Sequence, residues 1–283
     1  GTVLYDTARN EAIKERAKGI LKTTVENLSF QLRKGLFEPV CYEMPFFTKG
    51  DVELYGKVDR LDVAKKEGNV YVKILDYKSG RHKFDPARLF FGLDLQLAVY
   101  MNAAVEREEK LHPKEQVVPS AIFYYQIEDP LVEGTSEEGQ EARMEKLHEK
   151  LKVQGLIREE DTVLELLDES KAENSQVIPV KRKKDGSLAA VSQTAPAAQF
   201  DLIGKYASLK VTEIAKQIKN GEIAVNPGTD GTQSACAFCS YRNVCGFEKR
   251  IPGYGERDMK LGEKEAYEAM AETVGEAGEK NGS

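Results

Sequence analysis

The stretch Leu54–Lys78 reads LYGKVDRLDVAKKEGNVYVKILDYK. Both of its ends are rich in Val, Ile, Leu and Tyr, and the polar segment AKKEGN between them carries a Gly-Asn turn signal, so the sequence predicts a β-hairpin. Side chains alternate between the two faces of a strand. One face of the second strand therefore begins with apolar residues and ends with a carboxylate and an amine. This face consists of Val70, Val72, Ile74, Asp76 and Lys78.

The first strand of the hairpin adds a second carboxylate, Asp59, and Gly56 leaves room before it. Carboxylate oxygens are ligands that Mg²⁺ prefers. An amine two residues after Asp76 can lower the pKa of an attacking water or stabilise charge on a phosphate. The pattern predicts a Mg²⁺-dependent phosphodiesterase site. An Asp-x-Lys sequence is also common at solvated strand ends, so by itself it identifies no site.

A third motif, QLAVY, strengthens this interpretation, because Gln96 and Tyr100 lie one helical turn apart on one face of a predicted helix. The series GKVDR, DYK and QLAVY resembles the RecB-family nuclease domains of the PD-(D/E)xK superfamily. The resemblance implies an α/β, restriction-endonuclease-like fold with a central mixed sheet flanked by helices and a helical C-terminal extension. It also implies that Gln96 and Tyr100 place the DNA strand or support the site.

The same resemblance implies a role for each residue of the hairpin motifs. It makes the chain a metal-dependent deoxyribonuclease that uses Mg²⁺ as its cofactor. Asp59 and Asp76 bind the metal, with the backbone carbonyl of Tyr77 as a further ligand. Lys78 positions or activates the attacking water.

The formal net charge of −6 over 283 residues argues against a free-standing DNA binder, because phosphate contacts need Lys and Arg. It is compatible with a nuclease module that receives DNA from a larger machine. We predict that Arg81, Lys83 and Arg88, which follow the Asp-x-Lys strand, approach the DNA backbone. The basic run from 181 to 184 is equally consistent with DNA contact and with a solvated loop.

The sequence contains no apolar run that is long enough to cross a bilayer, and it has no signal peptide. It also lacks a GxxxxGK[ST] phosphate loop, so nothing indicates that the chain hydrolyses ATP itself. We therefore expect a cytoplasmic location and no membrane contact.

Three of the four cysteines lie in one short segment with the spacing Cys236-x2-Cys239-x5-Cys245. Thiolates at this spacing suit zinc or an iron–sulfur cluster, and both usually take four ligands. The remaining cysteine, Cys41, lies in a predicted strand far away in the sequence. The spacing is similar to that of the AddB family, the nuclease-bearing subunits of bacterial AddAB helicase–nucleases.

In the AddB family, a cysteine upstream of the nuclease motifs completes a [4Fe–4S] cluster. We therefore expect the chain to be a fragment of a longer subunit, with the cluster incomplete or absent. The resemblance implies DNA and an AddA-like helicase–nuclease subunit as partners, and a role in processing double-strand breaks for recombination. Three alternatives stay open: a CRISPR-associated RecB-like exonuclease, a catalytically inactive DNA-binding or structural module, and a zinc-ribbon-like interaction protein.

The chain is predicted to form a nuclease domain over residues 1–250 and a polar, partly disordered tail over 251–283. Apolar residues at helical spacing predict long helices over 6–34 and 89–109. The segment GLIREEDTVLELLDE is predicted to be a turn and a short helix, and 170–197 an excursion from the core. The apolar stripe of the first helix is predicted to pack in the core and comprises Ile13, Ala17, Ile20, Leu21, Thr24, Leu28 and Leu32.

Overall fold

The structure is a computed structural model that describes residues 7–48, 53–132, 139–231 and 234–281. It contains a six-stranded mixed sheet whose strands follow one another in chain order. These strands are β1 (Glu38–Thr48), β2 (Leu54–Lys66), β3 (Asn69–Lys78), β4 (Gln116–Gln126), β5 (Gln154–Arg158) and β6 (Thr194–Ala195). A second sheet pairs two short parallel strands, β7 (Gly228–Thr229) and β8 (Arg257–Asp258).

Helices precede, separate and follow these strands along the chain, which confirms the predicted α/β class with a mixed central sheet. None of the helices in the described ranges is long and apolar enough to cross a membrane. A short 3-10 helix spans Ala235–Phe238. The α-helices are α1 (Ala8–Leu32), α2 (Pro86–Phe90), α3 (Gln96–Leu111), α4 (Gln140–Lys150), α5 (Asp161–Leu167), α6 (Ala197–Lys219), α7 (Arg242–Cys245) and α8 (Glu263–Asn281).

Strands β2 and β3 form the predicted hairpin. They pair antiparallel, and the pair farthest from the turn is Arg60 opposite Leu75. The turn is shorter than the predicted segment, because only Glu67 and Gly68 lie outside the strands. Their φ angles are 52° and 78°, which is the left-handed conformation that two-residue hairpin turns require.

Strand β4 lies inside the sheet, between β3 and β5. It runs parallel to β3, and its register shifts where Val72 faces Pro119 and Lys73 faces Ala121. Proline has no N–H to donate to a neighbouring strand, so it suits a position where the ladder is interrupted. The buried aromatic residues of β4 are Phe123, Tyr124 and Tyr125.

The region after β4 differs from the prediction in two ways. The segment predicted as a turn and a short helix forms strand β5 followed by α5, because its apolar run Gly155–Ile157 is buried within the sheet. The segment 170–197 contributes to the hydrophobic core rather than leaving it. Its core residues are Val177, Ile178 and Val180, and they pack with Val163, Leu164, Leu166 and Leu167 of α5.

Helix α1 begins after Thr7, whose side chain accepts a hydrogen bond from the backbone N–H of Asn10 at 3.2 Å. The predicted N-cap, Asp6, lies outside the described residues. The core-packing prediction is wrong for the N-terminal half of the helix, because Ile13 and Leu21 are more than half exposed.

The buried residues of α1 are polar instead, namely Thr24, Asn27 and Gln31. The two buried amides, those of Asn27 and Gln31, are tolerated because they have hydrogen-bond partners. The Asn27 amide donates to the Tyr125 hydroxyl and to the Leu151 carbonyl, each at 3.1 Å. Burying a polar group costs little when its hydrogen bonds are made.

The helix predicted over 89–109 is divided into α2 and α3. Gly92 interrupts it with a φ of 79°, which helical residues do not adopt. Leu93 follows the break and is exposed, so its predicted burial is wrong. The other residues predicted on the buried side of this helix, Leu97, Met101 and Ala104, are buried.

The described residues divide into two compact units. The first unit takes residues within Gly1–Phe46, Gly56–Phe84 and Tyr100–Phe200, and the second takes residues within Phe47–Tyr55, Asp85–Val99 and Asp201–Ser283. Where the sequence predicts a polar, partly disordered tail over 251–283, the structure has β8 and α8. Helix α8 is amphipathic and buries Ala266, Tyr267 and Met270. The predicted domain boundary at residue 250 stays a prediction.

Candidate active site

The two predicted carboxylates lie at one end of the β2–β3 hairpin. Asp59 and Asp76 are the next residues beyond the pair formed by Arg60 and Leu75. Oδ2 of Asp59 accepts a hydrogen bond from the backbone N–H of Tyr77 at 2.8 Å. This bond ties the half-buried Asp59 carboxylate to the strand that carries Asp76.

The Asp76 side chain is buried, and the residue is only 2% exposed. Its Oδ2 forms an ion pair with Nζ of Lys78 at 2.7 Å and has no other hydrogen-bond partner among the described residues. Burial raises the pKa of the Asp76 carboxyl, Lys78 opposes the rise, and the negative charge of Asp59 adds to it. Because burial and the nearby Asp59 charge both disfavour the ionised form of Asp76, a cation bound at this position would stabilise it.

These side chains fit a hard divalent cation. Mg²⁺ is commonly held by one or two carboxylates and takes its other ligands from water and substrate phosphates. In the part of the chain that the structure describes, no three His, Cys, Asp or Glu side chains are placed to form a metal-binding group. A cation between Asp59 and Asp76 would therefore need backbone, water or DNA oxygens as well. Metal binding by Asp59, Asp76 and the Tyr77 carbonyl stays a prediction.

Gln96 and Tyr100 lie one turn apart at the start of α3, where Gln96 is exposed and Tyr100 half-buried. The Tyr100 ring packs edge-on against Phe46, with centroids 5.6 Å apart. The Phe46 ring in turn fills the space beside Gly56, where an added Cβ would lie 2.3 Å from it. Gly56 therefore leaves room for Phe46, and the roles predicted for Gln96 and Tyr100 stay predictions.

The loop that follows Lys78 exposes Arg81 and Lys83. It is fastened to β4 because the Gln126 side-chain amide donates to the His82 carbonyl at 3.0 Å. The His82 ring also lies 5.5 Å from that of Tyr124. The two cations are thus presented on a loop that is anchored close to the end of β3.

Arg88 and the basic run 181–184, in contrast, form contacts within the protein. The Arg88 guanidinium is 2.8 Å from the Asp94 carboxylate, so its charge already has a partner. In the basic run 181–184, Arg182 donates to the Gly186 carbonyl at 3.2 Å and helps to close a turn. These contacts favour the solvated-loop interpretation of that run and weaken the expected DNA contact of Arg88.

The three crowded cysteines lie on the 3-10 helix and α7. Cys236, Cys239 and Cys245 are free thiols, and all three line one cavity of about 320 Å³. They do not form a metal-binding group within the described residues. These three thiols are one ligand short of the four that such a cluster usually takes, so the [4Fe–4S] cluster stays a prediction.

Two charged residues near the site were not assigned a role from the sequence. Arg60 and Asp62 alternate with the apolar residues of β2 and are nevertheless 4% and 0% exposed. Residues two apart in a strand share a face. The signal that could have found them is this pair of opposite charges inside an otherwise apolar strand, since buried charges need a partner.

Comparison with known proteins finds relatives that match most of this chain. Two relatives are named as subunits of an ATP-dependent helicase/deoxyribonuclease. The protein of Lachnoclostridium phytofermentans is 34% identical over 93% of this chain and 23% of its own length. That of Clostridium acetobutylicum is 31% identical over 100% of this chain and 26% of its own length. The chain spans about a quarter of the length of these relatives, and the predicted resemblance to AddB-type nuclease domains is confirmed.

A family comparison covers most of the chain as well. Residues 3–246 match the family described as the PD-(D/E)XK nuclease superfamily. The matched region contains the whole six-stranded sheet and both carboxylates of the hairpin. The chain therefore belongs to the PD-(D/E)XK nuclease superfamily and has its α/β fold.

Proposed function

We propose that the chain is the Mg²⁺-dependent DNA exonuclease domain of an AddAB-type helicase–nuclease that processes double-strand breaks for recombinational repair. The observation that carries the proposal is the buried Asp76 carboxylate, which pairs with Lys78 at 2.7 Å and lies near the negative charge of Asp59. Superfamily membership supports a nuclease. The names of the relatives, which join helicase and deoxyribonuclease, support the larger complex.

In this proposal, Asp59 and Asp76 hold the cation with help from the Tyr77 carbonyl. When bound, Mg²⁺ supplies the positive charge that acidifies a water and polarises the phosphate. The Tyr77 N–H keeps the Asp59 carboxylate oriented through the 2.8 Å hydrogen bond. The burial of Asp76 excludes bulk water from one side of the site, and electrostatic interactions are stronger there than in solution.

Lys78 acts on the phosphate. Its ammonium lies beside Asp76, and it can donate a hydrogen bond to a phosphate oxygen whose negative charge grows during cleavage. Because this contact strengthens in the transition state, its loss lowers the rate more than it lowers binding. Gln96 and Tyr100, on one side of α3, place the DNA strand.

The proposed partners follow from charge and from the relatives. With a net charge of −6, the chain gains from having DNA delivered by an AddA-like helicase subunit, because phosphate attraction by itself is weak. A [4Fe–4S] cluster on Cys236, Cys239 and Cys245 would require a fourth ligand from outside this segment. We therefore propose this cluster for a longer subunit that contains the fourth ligand, and not for this chain by itself.

The test is cleavage of linear duplex DNA, in Mg²⁺ and in EDTA, by the complex with its helicase–nuclease partner, in which the partner's own nuclease has been inactivated by mutation. The variant is Asp76→Asn, which keeps the shape of the side chain and removes its charge. Asp168→Asn is the matched control, because Asp168 is also a buried carboxylate, with the Ser175 hydroxyl 2.6 Å away. We expect no cleavage by Asp76→Asn and cleavage by the control. Cleavage by Asp76→Asn at the parental rate would contradict the proposal and support an inactive DNA-binding module.

A further inference from the structure

Directly behind the candidate site, β2 carries a buried ion pair. Arg60 binds Asp62 through two parallel contacts, Nε to Oδ1 at 2.7 Å and Nη2 to Oδ2 at 2.5 Å. This two-pronged geometry is the strongest form of an Arg–carboxylate contact. Arg60 is also the residue that follows Asp59, so the pair begins one position away from a predicted metal ligand.

A second cation joins the pair from the neighbouring strand. Lys73 faces Asp62 across the hairpin, and its Nζ lies 2.9 Å from Oδ2. The Lys73 ammonium also sits 4.9 Å from the centre of the Phe37 ring. Although burial by itself raises the pKa of Asp62, Lys73 and Arg60 hold it below its ordinary value. The carboxylate of Asp62 is therefore stabilised in its ionised form, whereas burial lowers the pKa of Lys73 against the opposing effect of Asp62.

Stability alone does not explain such a cluster. Removing charges from water is expensive, and buried ion pairs are often replaced by apolar side chains of similar volume with no loss of stability or with a gain. A buried pair with fixed geometry does, however, define the position of the groups that it contacts.

The Arg60–Asp62 pair contacts the side chain of Tyr77. Nη1 of Arg60 donates to the Tyr77 hydroxyl at 3.4 Å, and the Tyr77 ring packs edge-on against Tyr125 with centroids 6.0 Å apart. The backbone N–H of the same Tyr77 donates to Asp59. Asp59 and Arg60 are consecutive residues of β2. Asp59 therefore contacts the backbone of Tyr77 in β3, and Arg60 contacts the side chain of the same residue.

We propose that Arg60, fixed by Asp62, is a positioning residue for the candidate active site. It holds Tyr77, and through Tyr77 it sets where Asp59 presents its carboxylate and where Asp76 and Lys78 lie on either side of Tyr77. The inference rests on the proposed nuclease function, because it explains how Asp59, Asp76 and Lys78, the residues proposed for metal binding and catalysis, are kept in position.

Three variants separate positioning from structural support. Tyr77→Phe removes only the hydroxyl that Arg60 contacts. The triple variant Arg60→Met, Asp62→Leu, Lys73→Met replaces the whole cluster by apolar side chains and is expected to be at least as stable as the parent. The matched control is Arg158→Met, because Arg158 at the end of β5 contacts a carboxylate two residues later, that of Glu160, at 2.5 Å.

The readouts are hydrogen exchange of the Tyr77 amide, Mg²⁺ affinity by calorimetry, and kcat and KM for DNA cleavage. We expect faster amide exchange in Tyr77→Phe and in the triple variant. We also expect Mg²⁺ affinity and kcat to fall by about 10- to 100-fold, the usual effect of losing a residue that orients a metal ligand. The melting temperature and KM should stay parental, and the control should resemble the parent in all readouts.

Parental amide exchange and Mg²⁺ affinity in Tyr77→Phe would overturn the proposal, whether or not the triple variant folds. A fall in activity that only follows a fall in melting temperature would also overturn it, since that is what structural support predicts. If the parent itself neither binds Mg²⁺ nor cleaves DNA, the proposed function fails. The Tyr77 amide exchange then still decides whether Arg60 fixes this end of the hairpin.

Discussion

Tyr77 donates its backbone N–H to the Asp59 carboxylate at 2.8 Å, and this hydrogen bond links β2 and β3 at the end of the hairpin where the candidate active site lies. On the β2 side it orients a predicted metal ligand. On the β3 side it fixes the residue between Asp76 and Lys78. The site is therefore a property of the hairpin as a unit, and disturbances elsewhere in the hairpin should reach it.

Gly56 offers a test of that expectation. A Cβ at this position would lie 2.3 Å from the Phe46 ring, so Gly56→Ala forces the ring to move, and Phe46 packs against Tyr100. We expect a loss of about 1–3 kcal/mol of stability, typical of overpacking, together with lower nuclease activity. Thermal denaturation and DNA cleavage measure the two effects.

The chain provides a matched control for this substitution. Gly19 lies inside α1 with no heavy atom within 4 Å of an added Cβ. Because Ala favours helix over Gly, Gly19→Ala should stabilise the protein by about 0.5–1 kcal/mol and leave cleavage unchanged. Parental stability of Gly56→Ala would show that Phe46 does not occupy the place assigned to it.

The basic loop after β3 should contribute to DNA binding. Arg81→Ala and Lys83→Ala remove exposed cations, so each should weaken binding to all sequences alike and reduce the salt slope by about 1. Arg88→Ala should have a smaller effect, because the Arg88 guanidinium is already paired with Asp94. Affinity measured at several salt concentrations checks this. A parental salt slope in the Arg81, Lys83 double variant would mean that these residues are merely solvated.

His148 should make stability depend on pH. It is buried, its ring stacks on Phe30, and its Nδ1 lies 2.7 Å from Oδ1 of Asn27. The Asn27 amide nitrogen already donates elsewhere, so Oδ1 accepts and Nδ1 donates. Burial lowers the pKa of His148, and Lys34 adds to this effect, so the folded state favours the neutral ring.

The sign of the pH effect follows from proton uptake. An unfolded histidine titrates near pH 6.5, whereas the folded pKa is lower, so between the two values the unfolded state binds more protons. The stabilisation is complete above about pH 6.5 and is lost as the pH falls through this window. We expect the melting temperature to drop on acidification, with a smaller drop in His148→Phe. The exposed His82→Gln is the control, and an unchanged pH slope in His148→Phe would contradict the assignment.

The hairpin and its two carboxylates could be predicted from the sequence because their signals are local. Alternation alone places Val70, Val72, Ile74, Asp76 and Lys78 on one face, and the turn residues Glu67 and Gly68 lie inside the predicted turn segment. The break at Gly92 was also visible as a glycine, but the apolar spacing across it outweighed that signal.

The packing of α1 could not be predicted in this way. The stripe that includes Ile13 and Leu21 has helical spacing, yet the buried positions are Asn27 and its polar neighbours. Their partners, Tyr125 and Leu151, lie about a hundred residues away in the sequence. Long-range hydrogen bonds leave no local pattern in a sequence. For the same reason, the contact between Arg60 and the Tyr77 hydroxyl could not be predicted from the sequence.

We expect Asp76 and Lys78 to form the catalytic centre with separate roles. Asp76→Ala should abolish both Mg²⁺ binding and cleavage, whereas Lys78→Ala should keep the metal and lose the rate. The loss should be on the order of 10²–10³-fold, as for other groups that stabilise charge in the transition state. Lys66→Ala is the matched control, because Lys66 pairs with Glu165 at 3.0 Å near the other end of β2.

The most direct measurement is the cleavage rate of Lys78→Ala in the complex with the partner's own nuclease inactivated, with Mg²⁺ affinity measured by calorimetry on the same preparation. We expect parental Mg²⁺ affinity and a severely reduced rate, while Lys66→Ala cleaves normally. Cleavage by Lys78→Ala at the parental rate would contradict the assignment of this end of the hairpin as the catalytic centre.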